Sequence, residues 1–139
     1  MIKPTSTSRT GRRGSAMIEA TLTLSLFLTI LFSLYDFGWV LFFHQTLVHQ
    51  ARTAARYGAV NPGDLTAIQN MAVYGATSGS GTGLFGLETA NVQVSRNGQG
   101  TTSDRITVTV SGYQYTLITL GWAGAYNGKN ITVSIPVEN

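Results

Sequence analysis

Residues 12–19 read Arg-Arg-Gly-Ser-Ala-Met-Ile-Glu, and they lead into an apolar run at residues 20–35, ATLTLSLFLTILFSLY, that carries no charge. Glu19 is the acid at the front of this run. A charged side chain near the centre of a bilayer costs about 2.5–3.5 kcal/mol on insertion scales. The pattern therefore predicts a membrane segment in which Glu19 has a specific purpose.

The predicted membrane span covers about residues 18–43, where Glu19, Asp36 and Gly38 interrupt an otherwise apolar or small composition. Roughly 20 helical residues cross a hydrocarbon core of about 30 Å, so the run is long enough. Basic residues precede it, including Arg12 and Arg13. The positive-inside rule then makes residues 1–14 a cytoplasmic basic leader and places the C-terminal domain outside.

Two ordinary interpretations compete with this one. A secretory signal peptide has an apolar region of about 7–15 residues that ends at a small-x-small site. The run here is about twice as long, contains acids and passes into more helix. An uncleaved single-pass anchor that carries an extracytoplasmic binding module stays open as an alternative function.

Helical periodicity continues beyond the predicted span. Apolar and small residues recur at spacings of three and four up to Ala55, Gly58 suits a helix C-cap, and Pro62 bars continuation. One helix over residues 15–58 would be about 60 Å long at 1.5 Å per residue, which is twice the membrane thickness. Its outer half must therefore stand outside the bilayer, and its small residues suit close packing against other helices.

Residues 59–139 are predicted to form an extracytoplasmic α+β domain. Asp64 is a candidate cap for a short helix, and residues 75–86 have the composition of a flexible loop. Alternating apolar residues near 92–94, 106–110 and 131–137 predict an antiparallel sheet of three or four strands. The alternation shifts by one residue past Gly112, which suggests a bulge there.

The charge distribution argues against a nucleic-acid partner. The net charge of +3 comes from nine basic and six acidic residues, and Lys3, Arg9, Arg12 and Arg13 all precede Ser15. The remainder of the chain is therefore slightly acidic, and the basic leader indicates topology. The chain has no cysteine, and its two histidines are five residues apart, so we expect no metal site, no cofactor and no enzyme activity.

Three segments together carry a family resemblance. They are residues 12–19, the Tyr35-Asp36-Phe37-Gly38 segment, and residues 51–60, ARTAARYGAV. Gly14 followed by an acid at the fifth position resembles the cleavage motif of type IV prepilins, and the combination is similar to the TadE-like family. Those proteins are minor pilins or pseudopilins of the tight-adherence (Tad, or Flp) adhesion pilus. The family often has an aromatic residue after the acid, where this chain has Ala20.

The resemblance implies processing and partners. A prepilin peptidase would cut after Gly14 and leave Ser15 as the new N-terminus, with Glu19 as its fifth residue. The implied partners are other pilin or pseudopilin subunits and the pilus assembly platform in the bacterial inner membrane, with possible incorporation into a surface pilus.

Glu19 and Asp36 are the candidate subunit contacts. Cleavage creates an α-ammonium group at Ser15 whose pKa is about 7.7–8.0, so Glu19 would have a cationic partner on its own or a neighbouring chain. Glu19 snorkelling to the inner interface is the simpler alternative. For Asp36, the simpler alternative is that it marks the outer water interface beside Trp39.

Overall fold

The computed structural model describes residues 10–119 and 124–137, with side chains from Gly14 onward. The predicted α+β architecture, with a long apolar N-terminal helix, is confirmed. Helix α1 spans Thr10–Val60 and α2 spans Leu65–Tyr74, and short 3₁₀ turns follow at Leu84–Gly86 and Thr89–Asn91. The strands are β1 (Val92–Asn97), β2 (Arg105–Val110), β3 (Gln114–Tyr115), β4 (Tyr126–Asn127) and β5 (Ile131–Pro136).

The main sheet is antiparallel and has the strand order β1-β2-β5. Val94, Val108 and Val133 lie opposite one another across it. Alternate residues of β2 are buried beneath α1 and α2, as expected for a strand with one face toward a core. Pro136 ends the edge strand β5. The neighbouring Val137 amide donates to the Asp104 carbonyl, so the proline nitrogen faces the open edge of the sheet, where no hydrogen bond to a strand is lost.

The chain leaves the sheet after Val110, so the bulge suggested near Gly112 was wrong. Gly112 has a φ of +70°, a conformation that glycine adopts without a Cβ clash. The following residues form a separate two-stranded ribbon, in which Gln114 and Tyr115 of β3 pair with β4. The shift in apolar alternation therefore marks a change of sheet.

Helix α1 consists of two parts with different surroundings. From Gly14 to Tyr35 its side chains are exposed, whereas Asp36 and then Phe43 are buried. Beyond Phe43 the buried face continues with small and apolar residues that pack on α2 and the sheet: Leu47, Ala51, Ala54, Ala55 and Ala59. The domain core thus lies against the C-terminal part of α1.

Gly58 lies inside α1, which continues to Val60, so its interpretation as a C-cap was wrong. A Cβ at this position would lie 2.8 Å from Ile68 Cδ1 and 3.0 Å from Ile106 Cγ2. The glycine therefore allows α2 and β2 to approach the helix backbone. The predicted cap of α2 is present, because the Ala67 amide donates to Asp64 Oδ1 at 2.9 Å.

An ion pair stabilises the turn between β1 and β2 at the far side of the domain. Arg96 Nε donates to Asp104 Oδ1 at 2.9 Å, and the Gly100 amide donates to Asp104 Oδ2 at 3.3 Å. Hydrogen bonding from Arg96 is the main cause that lowers the pKa of the buried Asp104 carboxyl, against the opposing effect of burial. Asp104 is therefore held as the carboxylate.

Candidate functional site

The exposed part of α1 is the main candidate for function. The region Gly14–Val60 contains a window with a mean hydropathy of 1.9, so the helix is long and apolar enough to cross a membrane. Large apolar side chains point outward on all sides of residues 17–35, including Met17, Leu24, Phe27 and Leu34. A helix that is apolar all round is typical of a segment solvated by lipid or by other helices.

The candidate processing residues lie near the start of this segment. Gly14 and Ser15 are exposed and helical, and a Cβ on Gly14 would meet no atom within 4 Å among the side chains that the structure describes. A glycine within a helix costs about 1 kcal/mol relative to alanine. The turn that contains the Gly14–Ser15 bond is therefore intrinsically easier to open than its neighbours.

Glu19 is exposed on the apolar helix beside a shallow groove. Ala16 and Ala20 give this groove its small side, and Thr23, Leu24 and Phe27 complete its lining. Small residues permit the close approach of another helix in a membrane. The Glu19 carboxylate and this shallow groove therefore lie on the same surface of the helix.

Arg12 and Arg13 lie in the first turns of α1. Their side chains fall outside the described residues, so the topology prediction that rests on their charge stays a prediction.

Asp36 has a role that the sequence did not reveal. Its carboxylate is buried, and it accepts hydrogen bonds from the Ile118 amide at 2.8 Å, the Thr119 amide at 2.8 Å and the Thr119 hydroxyl. These donors lie in a loop more than 80 residues along the chain. Asp36 therefore ties the outer domain to α1, and its expected subunit contact stays a prediction.

Aromatic rings surround α1 just beyond Asp36. Phe85 packs on Phe43 with a centroid separation of 4.2 Å and meets Trp39 and Phe42 edge-on at 6.1 and 6.2 Å. Phe85 has a φ of +59°, which is unusual for a residue other than glycine. Its packing among three rings offsets that local strain.

The remaining polar candidates do not converge. His44 and His49 are both exposed on α1. Over the part of the chain that the structure describes, no three His, Asp or Glu side chains are grouped as a metal ion would require.

Comparison with known proteins supports the resemblance. Residues 14–56 match the family model described as TadE-like protein, which confirms the family suspected from the sequence motifs over that segment. The matched segment contains the exposed part of α1 and most of its buried part. No match was found among curated proteins or among solved structures.

Proposed function

We propose that this chain is a minor pilin or pseudopilin that takes part in assembly of a Tad-type (Flp) adhesion pilus. Its N-terminal helix matches the TadE-like family, which suggests association with a Tad pilus system. One observation carries the proposal: residues 14–56 match the family, and they lie on the helix whose first half exposes apolar side chains. A protein of this kind is a structural subunit. Its chemistry is the packing of helices within a membrane and during their transfer into a filament.

Orientation follows from the charges that flank the apolar segment. Basic residues cluster in the leader, so the N-terminus lies in the cytoplasm and the α+β domain outside the inner membrane. Asp36 and the loop at residues 118–119 then lie at the outer side. Gly14 lies at the inner side, where a membrane-embedded prepilin peptidase has access.

Glu19 supplies the subunit contact in this proposal. Cleavage after Gly14 gives Ser15 a cationic amine one helical turn from Glu19, and the groove beside Glu19 admits a neighbouring helix. A carboxylate and an amine that pair in lipid avoid two isolated charges, and the pairing defines the axial register of two helices. Glu19→Gln should therefore be cut normally but recruited poorly into pilin complexes.

Mass spectrometry of the mature N-terminus tests the processing step. The full chain is produced with the active peptidase and, separately, with an inactive peptidase variant. We expect a chain that begins at Ser15 only with the active enzyme. Gly14→Val should block the cut, whereas Gly38→Val is the matched control, because a Cβ at either position meets no described residue beyond its own helical turn within 4 Å.

An intact Met1 in the presence of the active peptidase would contradict the pilin assignment. It would instead support the uncleaved anchor with an extracytoplasmic binding module. Recovery of the chain with the assembly platform, and its presence or absence in sheared filaments, then separates a platform component from a filament subunit.

A further inference from the structure

Two loops of the outer domain carry exposed aliphatic side chains beside α1. Ile118 is 59% exposed in the loop tied to Asp36, and Leu84 is 53% exposed in the turn that places Phe85 against the helix. Single exposed aliphatic residues are ordinary on protein surfaces. What distinguishes Leu84 and Ile118 is the position of their loops along the axis of α1, which we call their height.

Contacts with α1 define that height. The Ile118 amide donates to Asp36, so its loop lies at the level of Asp36. The Phe85 ring packs on Phe43, which is seven residues further along the helix, or about 10 Å at 1.5 Å per residue. Both loops therefore meet α1 within two turns of the point where its fully exposed part ends.

The exposed part of α1 has the length of a bilayer core. Residues 16–35 span about 30 Å, which equals the hydrocarbon thickness of a typical membrane. Asp36 then lies at the outer hydrocarbon edge, and the lipid headgroups form a layer roughly 5–7 Å thick above it, which covers about the next four residues of α1. Phe43 lies above this layer, but the Phe85 ring on it also meets Trp39, which lies within the layer. Trp39 is exposed within the headgroup layer and Phe42 just above it, and aromatic side chains are enriched at this interface in membrane proteins.

We propose that Leu84 and Ile118, together with Trp39 and Phe42, form an interfacial collar by which the outer domain rests on the membrane surface. This inference depends on the membrane insertion of α1 in the proposed function. In this arrangement the outer end of the membrane span is Asp36, whereas the composition predicts an outer end near residue 43. The hydrogen bonds from Ile118 and Thr119 then satisfy a carboxylate at the hydrocarbon edge, where an unpaired charge is costly.

The partner of the collar is the apolar boundary of the lipid layer. Residues 83–87 and 116–119, which form the two loops, contain no lysine or arginine, whereas Lys129 lines a groove beside Val40 and Phe43 of α1. Electrostatic attraction to anionic lipid needs such side chains. The two collar loops therefore contact the lipid layer through apolar groups.

Spin labelling of the full chain tests the collar, because the absence of native cysteine makes single-cysteine variants straightforward. The labelled variants are Leu84→Cys and Ile118→Cys, with Ser25→Cys as a marker of the span centre and Thr101→Cys as a marker of the exposed β1–β2 turn. Each is placed in phosphatidylcholine nanodiscs at one chain per disc. Collision rates with oxygen, which concentrates in lipid, and with a water-soluble nickel chelate report depth.

We expect Ser25→Cys to collide mainly with oxygen, Thr101→Cys mainly with nickel, and both collar positions to lie between them with a clear shift toward oxygen. If Ser25 is in lipid while Leu84 and Ile118 match Thr101, the collar is wrong and the span stands. If Ser25 itself is in water, both the span and the collar fail. The proposal would also be overturned if the collar labels were shielded from the nickel chelate only in discs that hold several chains. A second copy of the chain, and not lipid, would then cover these loops.

Discussion

The two parts of α1 share one continuous helical backbone but differ in the side chains that surround it. Residues 14–35 expose large apolar groups on every side, whereas residues 44–59 bury one face and expose polar residues on the other, with an aromatic, partly packed turn between them. Lipid contacts a helix from all directions, so it favours apolar residues all round. A folded domain contacts one side only, so the outer part of α1 is amphipathic.

Side-chain size differs as well. The buried face of the outer part is rich in small residues, and Ala51, Ala54 and Ala55 are fully buried there. Small side chains allow α2 and the sheet to approach the helix closely, so that their bulky buried side chains, such as Ile68 and Ile106, fill the core against it. The inner part keeps its large side chains available for lipid or for other subunits.

Two leucines of α1 offer the largest test of this difference. Leu47→Ala should lower the free energy of unfolding of the outer domain by about 2–5 kcal/mol, because Leu47 is 1% exposed and its removal leaves a cavity. Leu31→Ala, at a residue that is 45% exposed, should leave that free energy unchanged. Urea unfolding in detergent micelles, followed by near-UV circular dichroism, measures both. Equal losses would show that the domain also depends on the inner part.

Two glycines of α1 give a second matched pair with a smaller effect. Gly58→Val should destabilise the domain by about 1–3 kcal/mol, since the new side chain would overlap Ile68 and Ile106. At Gly38 an added Cβ meets nothing within 4 Å among residues 10–119 and 124–137 outside its own helical turn, so Gly38→Val should leave the urea midpoint of the domain near its original value. A stable Gly58→Val domain would mean that α2 can shift away from the helix without loss of core packing.

The two acids of α1 differ in their partners: Asp36 binds a loop of the same chain, whereas Glu19 is the proposed contact with another subunit. Asp36→Ala should speed hydrogen exchange at the Ile118 and Thr119 amides, because these donors lose their acceptor. Glu19→Ala should leave the exchange of these amides unchanged. Exchange measured by mass spectrometry on the full chain in nanodiscs resolves the loop. Unchanged protection in Asp36→Ala would show that other contacts hold the loop.

The smallest expected effect is a pH dependence confined to the outer domain. Hydrogen bonding from Arg96 lowers the pKa of Asp104 below its ordinary value of 3.8, so the folded state prefers the carboxylate. The resulting stability is present above the pKa of the unfolded chain and is lost as the pH falls through the lower folded value. Urea midpoints measured from pH 6 downward should decline in acid, and Asp104→Asn should reduce that decline. An identical decline in the variant would assign it to other carboxyl groups.

The long apolar helix, the α2 cap and the main strands were predictable because their sequence patterns are local. Apolar run length, a capping acid and period-two alternation all act over a few neighbouring residues. The role of Asp36 was not predictable, since its donors at Ile118 and Thr119 are remote in sequence. The prediction that Gly58 caps α1 was wrong for a similar reason: the residues that require a glycine there belong to α2 and β2, which are remote in sequence.

The sequence by itself determined that the chain has a basic leader, a long apolar helix with an acid five residues past Gly14, and a small α+β domain. Those features depend on composition and on the order of residues along a helix or strand. Only the tertiary structure decided where α1 changes from exposed to packed, because that boundary depends on which loop reaches the Asp36 carboxylate. A buried carboxylate needs donors, and the fold alone brings the loop at residues 118–119 to supply them.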